Sequence, residues 1–184
     1  SSLPVPCYDV VTASAEAAAR SSKTGKIGLA ATEATVKSGR FAGEIEKRTG
    51  QAVTAVPCPR LAPMVESGMA PDDPALAAAV AEYCKPFLRD GVDTVVLGCT
   101  HYPLAAAAFA AVLGEGVTLI DCAAEAAKAA AEALKEAHLL AGGTAPAAPR
   151  YYFTALPPQP ARLLARRLLG EDFTPQLAEP GDKG

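Results

Sequence analysis

The chain has 184 residues, half of them hydrophobic and a fifth charged, with a formal net charge of −3. That length suits one domain, or one domain with a piece of another, and the apolar fraction is ample for a core. The mild acidity, without a basic stripe or a run of like charges, argues against nucleic-acid or membrane-surface binding, and no apolar run approaches the roughly 18 residues of a bilayer span.

In chain order, residues 11–21 predict a helix and 26–30 a short buried strand. Thr32 can cap a helix running to Thr49, stopped by Gly50. Residues 52–56 predict the next strand, and 58–72 hold prolines and a short helical turn. A helix over 73–89 follows, with Pro74 in its first turn, where proline is tolerated; Pro86 is expected to kink or end it early. Residues 94–97 (TVVL) predict a compact apolar strand. Pro103 opens an alanine-rich helix ending near Gly114, residues 117–120 a strand, and 123–140 a long helix. Residues 141–149 have the composition of a linker, 151–154 predict a final strand and 160–169 a basic amphipathic helix. The tail after Gly170 is expected to fray. This alternation predicts an α/β fold with a parallel sheet and helices on both faces. Such sheets bind ligands beyond the carboxyl ends of their strands. Three loops then matter: after Ala30, after Val56 and after Leu97.

Five cysteines, at 7, 58, 84, 99 and 122, and two histidines are present. The cysteine count is odd, the spacing wide, and the first six residues carry no basic segment followed by an apolar one. No secretory signal or disulfide framework is expected, and a reducing cytoplasm fits best. Two histidines support a zinc site poorly, and no metal is expected.

The loop after Leu97 is the richest. Gly98 would let the backbone turn as the strand ends. Cys99 follows, upstream of a helix N-terminus, where unpaired N–H groups and the macrodipole favour a thiolate. His101, two residues on, could tune that thiol. Taken alone, a cysteine at a strand end is more often a small buried hydrophobe, the reading that Cys7, Cys58, Cys84 and Cys122 receive. The loop after Ala30 places Thr32 and Thr35 at a helix mouth. Their hydroxyls suit a carboxylate ligand, and ordinary N-capping by Thr32 is the alternative. Glu66 could hold His101 in one tautomer, or be a solvated surface carboxylate.

The run 96–104 (VLGCTHYPL) closely resembles the second cysteine motif of glutamate racemases. Residues 26–41 (KIGLAATEATVKSGRF) are similar to the family's Thr-rich substrate loop, 58–68 (CPRLAPMVESG) to its acidic segment, and 117–121 (VTLID) to the strand after the cysteine motif, in the same order. The resemblance spans roughly 4–140 and weakens beyond Gly142. It implies a cofactor-independent enzyme that interconverts L- and D-glutamate for peptidoglycan synthesis. One thiol removes the α-proton while another protonates the opposite face. Cys99 would act on the L-enantiomer, with Thr100 and His101 contacting substrate and assisting the thiol. Thr32 and Thr35 would bind the substrate's polar groups, and Glu66 would pair with His101.

The family's Asp-Ser-Gly and Cys-Asn-Thr-Ala motifs are missing, and Cys7 is not followed by Asn-Thr. The resemblance therefore implies a chain truncated at its N-terminus. Residues 1–9 would be a remnant of the interdomain connection and 10–121 the second of two similar α/β domains. Residues 122–169 would pack on the largely missing first domain, and 170–184 form a flexible tail. Such a chain is expected to racemise weakly or not at all, and to self-associate, as a homodimer, through exposed apolar surface. Two other functions fit the same residues: an aspartate or related amino-acid racemase, and a non-catalytic carboxylate-binding module. His101 after Cys-Thr favours glutamate over aspartate.

Overall fold

A computed structural model describes residues 7–140 and, beyond them, 152–153, 162, 165–166 and 176–177. Helix α1 (Val10–Ser21) opens at Asp9, whose carboxylate accepts the amides of Val11 and Thr12 at 2.9 Å each. Four strands then form one parallel sheet: β1 (Ile27–Ala31), β2 (Thr54–Pro57), β3 (Thr94–Gly98) and β4 (Thr118–Asp121), in the spatial order β2-β1-β3-β4. β2 is an edge strand, which is why it can end on Pro57 without breaking a ladder on both sides.

The sheet is covered on both faces, and the strand side chains alternate between two cores. Ala30, Val95 and Leu97 pack with Val80, Cys84, Phe87 and Phe109, from α5 (Pro74–Asp90) and α6 (Ala106–Leu113). Ile27, Leu29, Ala31 and Val96 pack with Ala15, Phe41, Ile45 and Cys122, from α1, α3 (Arg40–Thr49) and α7 (Cys122–Glu136). The crossover that moves the chain from β1 to β2 and those that move it the other way lie on opposite faces, as right-handed connections require.

Several elements depart from expectation. The helix predicted over 32–49 is two helices, α2 (Glu33–Ser38) and α3, broken at Gly39 with φ 64°. That left-handed residue lets the chain turn so that α3 lays Phe41 and Ile45 on the sheet. Pro86 does not end α5. Cys84 and Phe87 on either side of it are fully buried, and the helix is held to its end by Gly91 N–H donating to Leu88 O and Val92 N–H to Phe87 O. This paired closure, with Gly91 at φ 63°, fixes the last turn that Pro86 weakens. The helix predicted to open at Pro103 starts as a four-residue 3-10 turn, Tyr102–Ala105, and becomes α-helical at Ala106. The dipole of α6 therefore begins well past Cys99. α7 stops at Glu136, short of the predicted Leu140.

Strand β5 (Tyr152–Phe153) is not the final one: β6 (Gln176–Leu177), within the segment expected to fray, pairs with it in parallel. The predicted linker 141–149, most of the predicted helix 160–169, the first six residues and the rest of the tail lie outside the described residues.

The strand order decides where a ligand can sit. From β1 the chain runs outward to β2; from β3 it runs the other way to β4. The adjacent carboxyl ends of β1 and β3 are thus the topological switch point, where connections leave in opposite directions and open a crevice.

Candidate active site

The last β1–β3 pair is Ala31 with Gly98, so Thr32 and Cys99 each lie one residue beyond it, at the switch point. Gly98 is needed for space, since it sits in β3 rather than in a turn. A Cβ there would come 2.8 Å from Leu29 Cδ1 and 3.2 Å from Ala31 Cβ, so a larger residue would force Leu29 and its packing to shift where β1 and β3 end.

Cys99 is half-buried. Its Sγ lies 3.8 Å from His101 Nδ1, and Thr100 Oγ1 lies 3.3 Å from the same nitrogen. On the other side of the ring, His101 Nε2 meets Glu66 Oε1 at 3.0 Å. Glu66 ends the short helix α4 (Leu61–Glu66), which follows the Cys58 loop after β2. The imidazole therefore bridges a thiol and hydroxyl to a carboxylate. With Nε2–H donating to the Glu66 carboxylate, Nδ1 presents a lone pair to Cys99 and Thr100, so the ring can take the thiol proton and return it.

Thr32 and Thr35 are also together. Thr32 Oγ1 accepts Thr35 N–H at 3.2 Å and lies 2.9 Å from Thr35 Oγ1. Thr32 thus caps α2, and the Thr35 hydroxyl is the member of the pair not used for capping. The other cysteines differ in kind from Cys99. Burial, with Cys84 beside it, pushes the Cys58 thiol up to about 12; burial pushes Cys84 to about 12 and Cys122 to about 11. Cys7 is exposed and precedes α1.

Residue-by-residue reasoning missed the fourth strand end. A cavity of about 90 Å³ beside Cys99 is lined by Thr100 and also by Phe41, Asp121 and Cys122. Asp121 ends β4 and caps α7, accepting the Ala123 and Ala124 amides. The strand-end rule that singled out three loops applies to this one as well. A larger surface hollow of about 430 Å³, lined by Asp9, Arg40, Glu44 and Lys47 among others, shares no residue with the Cys99 set. Among the described residues no cluster of side chains could hold a metal ion.

The sheet order, the Cys99 loop and the flanking threonines invite comparison with known proteins. The profile of the Asp/Glu/hydantoin racemase family matches residues 1–130. The chain belongs to that family. It is 36% identical over 170 residues to a glutamate racemase of Mycobacterium ulcerans, covering 92% of this chain and 62% of the relative. Its fold matches the crystal structure of a glutamate racemase from Bacillus anthracis with a TM-score of 0.86 at 30% identity, over 97% of this chain and 66% of the other. It matches the Francisella tularensis glutamate racemase, solved in complex with D-glutamate, with a TM-score of 0.82 at 28% identity, over 96% and 65%. The chain thus spans about three fifths of the length of the curated relative.

Proposed function

We propose that this chain supplies one side of a glutamate racemase active site, with Cys99 as one of two acid–base thiols. The observation that carries the proposal is the line from Cys99 through the His101 ring to Glu66, at the β1/β3 switch point. The relatives' activity supports glutamate as substrate, and the Francisella complex supports binding of that amino acid by this fold. Thr32, Thr35 and Thr100 bind the substrate's polar groups. Cys99 takes the α-proton of L-glutamate, leaving the electron pair on the α-carbon, and an opposing thiol delivers a proton to the other face. In the return direction Cys99 is the donor. A thiol suits this task because its ordinary pKa lies closer to neutrality than that of a carboxyl or amine.

The proposal requires a second thiol. Cys58, Cys84 and Cys122 are buried in the two cores, and Cys122, which shares the small cavity beside Cys99, is kept protonated by that burial. The 184 residues by themselves are therefore expected to racemise weakly or not at all. Residues 10–121 are proposed as one α/β domain of two. The segment 122–169 is proposed to belong with the other domain, which the exposure of Leu134 on α7 supports. The same exposed surface supports self-association as a homodimer. Work in the cytoplasm is part of the proposal; no helix among the described residues is long and apolar enough to cross a membrane.

The test is solvent-deuterium incorporation at the α-carbon of glutamate and of aspartate, followed by NMR, for this chain and for a form extended to the relatives' length. Exchange into glutamate that is lost in Cys99→Ala supports the proposal. Exchange into aspartate alone reassigns the substrate, and glutamate binding without exchange, insensitive to Cys99→Ala, replaces catalysis with carboxylate binding.

A further inference from the structure

The side chain that follows His101 has no part in the chemistry above, yet it closes a ring of contacts around it. Tyr102 is fully buried, and its hydroxyl donates to the Cys58 carbonyl at 2.8 Å. That same carbonyl accepts the Leu61 N–H at 3.2 Å, where α4 starts. α4 ends on Glu66, whose carboxylate returns to His101, the residue before Tyr102. Two backbone bonds complete the lacing. Cys58 N–H donates to Ala31 O at 2.9 Å, and Tyr102 N–H donates to Cys99 O at 3.1 Å. The loops after β1, β2 and β3 are thus joined through two residues, Cys58 and Tyr102.

We propose that the Tyr102 hydroxyl is a positioning group that sets the His101–Glu66 contact, and through it the tautomer His101 presents to Cys99. This rests on the reading of Cys99 and His101 as the acid–base pair. Burial pushes the phenol far above its ordinary value, so the group stays a donor at every working pH. Removing the hydroxyl leaves the ring in the core and leaves the Cys58 carbonyl its bond from Leu61. What loosens is the placement of α4 against the 3-10 turn, and with it the distance between Nε2 and the carboxylate.

The chain's two histidines make this measurable. Ring 15N shifts, taken above the ordinary imidazole range, report the ratio of the two neutral tautomers at His101, and exposed His138 serves as an internal reference. The wild-type ring is expected to hold mainly the Nε2–H form. Tyr102→Phe lowers that ratio about fivefold, the factor a single hydrogen bond supplies. Glu66→Gln lowers it too, and adding Tyr102→Phe to Glu66→Gln changes nothing more. A ratio unmoved by Tyr102→Phe overturns the proposal, as does an equal further fall in the Glu66→Gln background. A wild-type His101 as mixed as His138 overturns it without any variant. Absence of glutamate exchange in the form extended to the relatives' length, with the tautomer dependence intact, removes the racemase reading and leaves the positioning role standing.

Discussion

In the proposed mechanism, the proton on His101 decides what Cys99 can do. Glu66 meets Nε2, so the other nitrogen is left for the thiol. Glu66→Gln is expected to slow α-proton exchange by roughly 10- to 100-fold, below the loss in Cys99→Ala, because the amide keeps the shape but not the charge; rates measured on both variants give the order. Thiol labelling separates the cysteines by environment. Iodoacetamide under native conditions is expected to modify Cys7 and Cys99 and to spare Cys58, Cys84 and Cys122, which are buried and held protonated. Peptide mass spectrometry reads the pattern, and adducts at Cys84 in the folded chain would contradict it. Gly98→Ala is expected to cost about 1–3 kcal/mol in urea denaturation, since the new methyl group meets Leu29 and Ala31 inside a packed strand pair.

Helix ends carry the clearest element-scale lesson. α7 closes with the same paired bonds as α5, His138 N–H to Lys135 O and Leu139 N–H to Leu134 O, but its left-handed position is held by His138 at φ 56°. A Cβ in that conformation is strained, so His138→Gly is expected to stabilise the folded chain by about 1 kcal/mol, seen as a higher denaturation midpoint. The matching position after α5 is already Gly91. Apolar spacing and caps made α1, α5 and α7 legible, and the Thr32 cap was legible at α2. The break at Gly39 was not, because a lone glycine inside a helical pattern is tolerated in many helices. Only the need to lay Phe41 and Ile45 on the sheet turns it into a boundary. Pro86 misled for the converse reason: its local cost is outweighed by the burial of Cys84 and Phe87.

Across the molecule, the amino end of the two central strands, away from the site, is pinned by one carboxylate. Asp93 accepts Ser22 Oγ at 2.6 Å, the Lys23 and Thr24 amides at 2.8 Å each, and Thr24 Oγ1 at 2.9 Å, tying the α1–β1 turn to the start of β3. Partial burial pushes its carboxyl up, but the bonds from Ser22, Thr24 and Lys23 outweigh that and hold it near 2, below the ordinary 3.8. A depressed acid stabilises the fold above its unfolded pKa. That contribution is complete above about pH 5 and is lost as pH falls through 3.8 towards 2. Asp93→Asn is expected to flatten the acid limb of the stability curve in this window, measured by denaturation at a series of pH values.

Much of the site was legible in the residues because short motifs carry it: Cys99, Thr100 and His101 are neighbours in the chain, and Thr32 and Thr35 share one helix mouth. The alternation of apolar runs likewise determined a parallel α/β sheet covered on both faces. The order of the strands was decided only in three dimensions, since β1 and β3 are joined across 62 intervening residues (31 to 94) by backbone bonds that any apolar strand can make. The same holds for Asp121 and Phe41 beside Cys99 and for the Tyr102 bond to Cys58, while the meeting of Glu66 with His101 was expected from the family resemblance and not from spacing. Local spacing fixes which groups share a turn. Which turns come together depends on how the two cores close around the sheet.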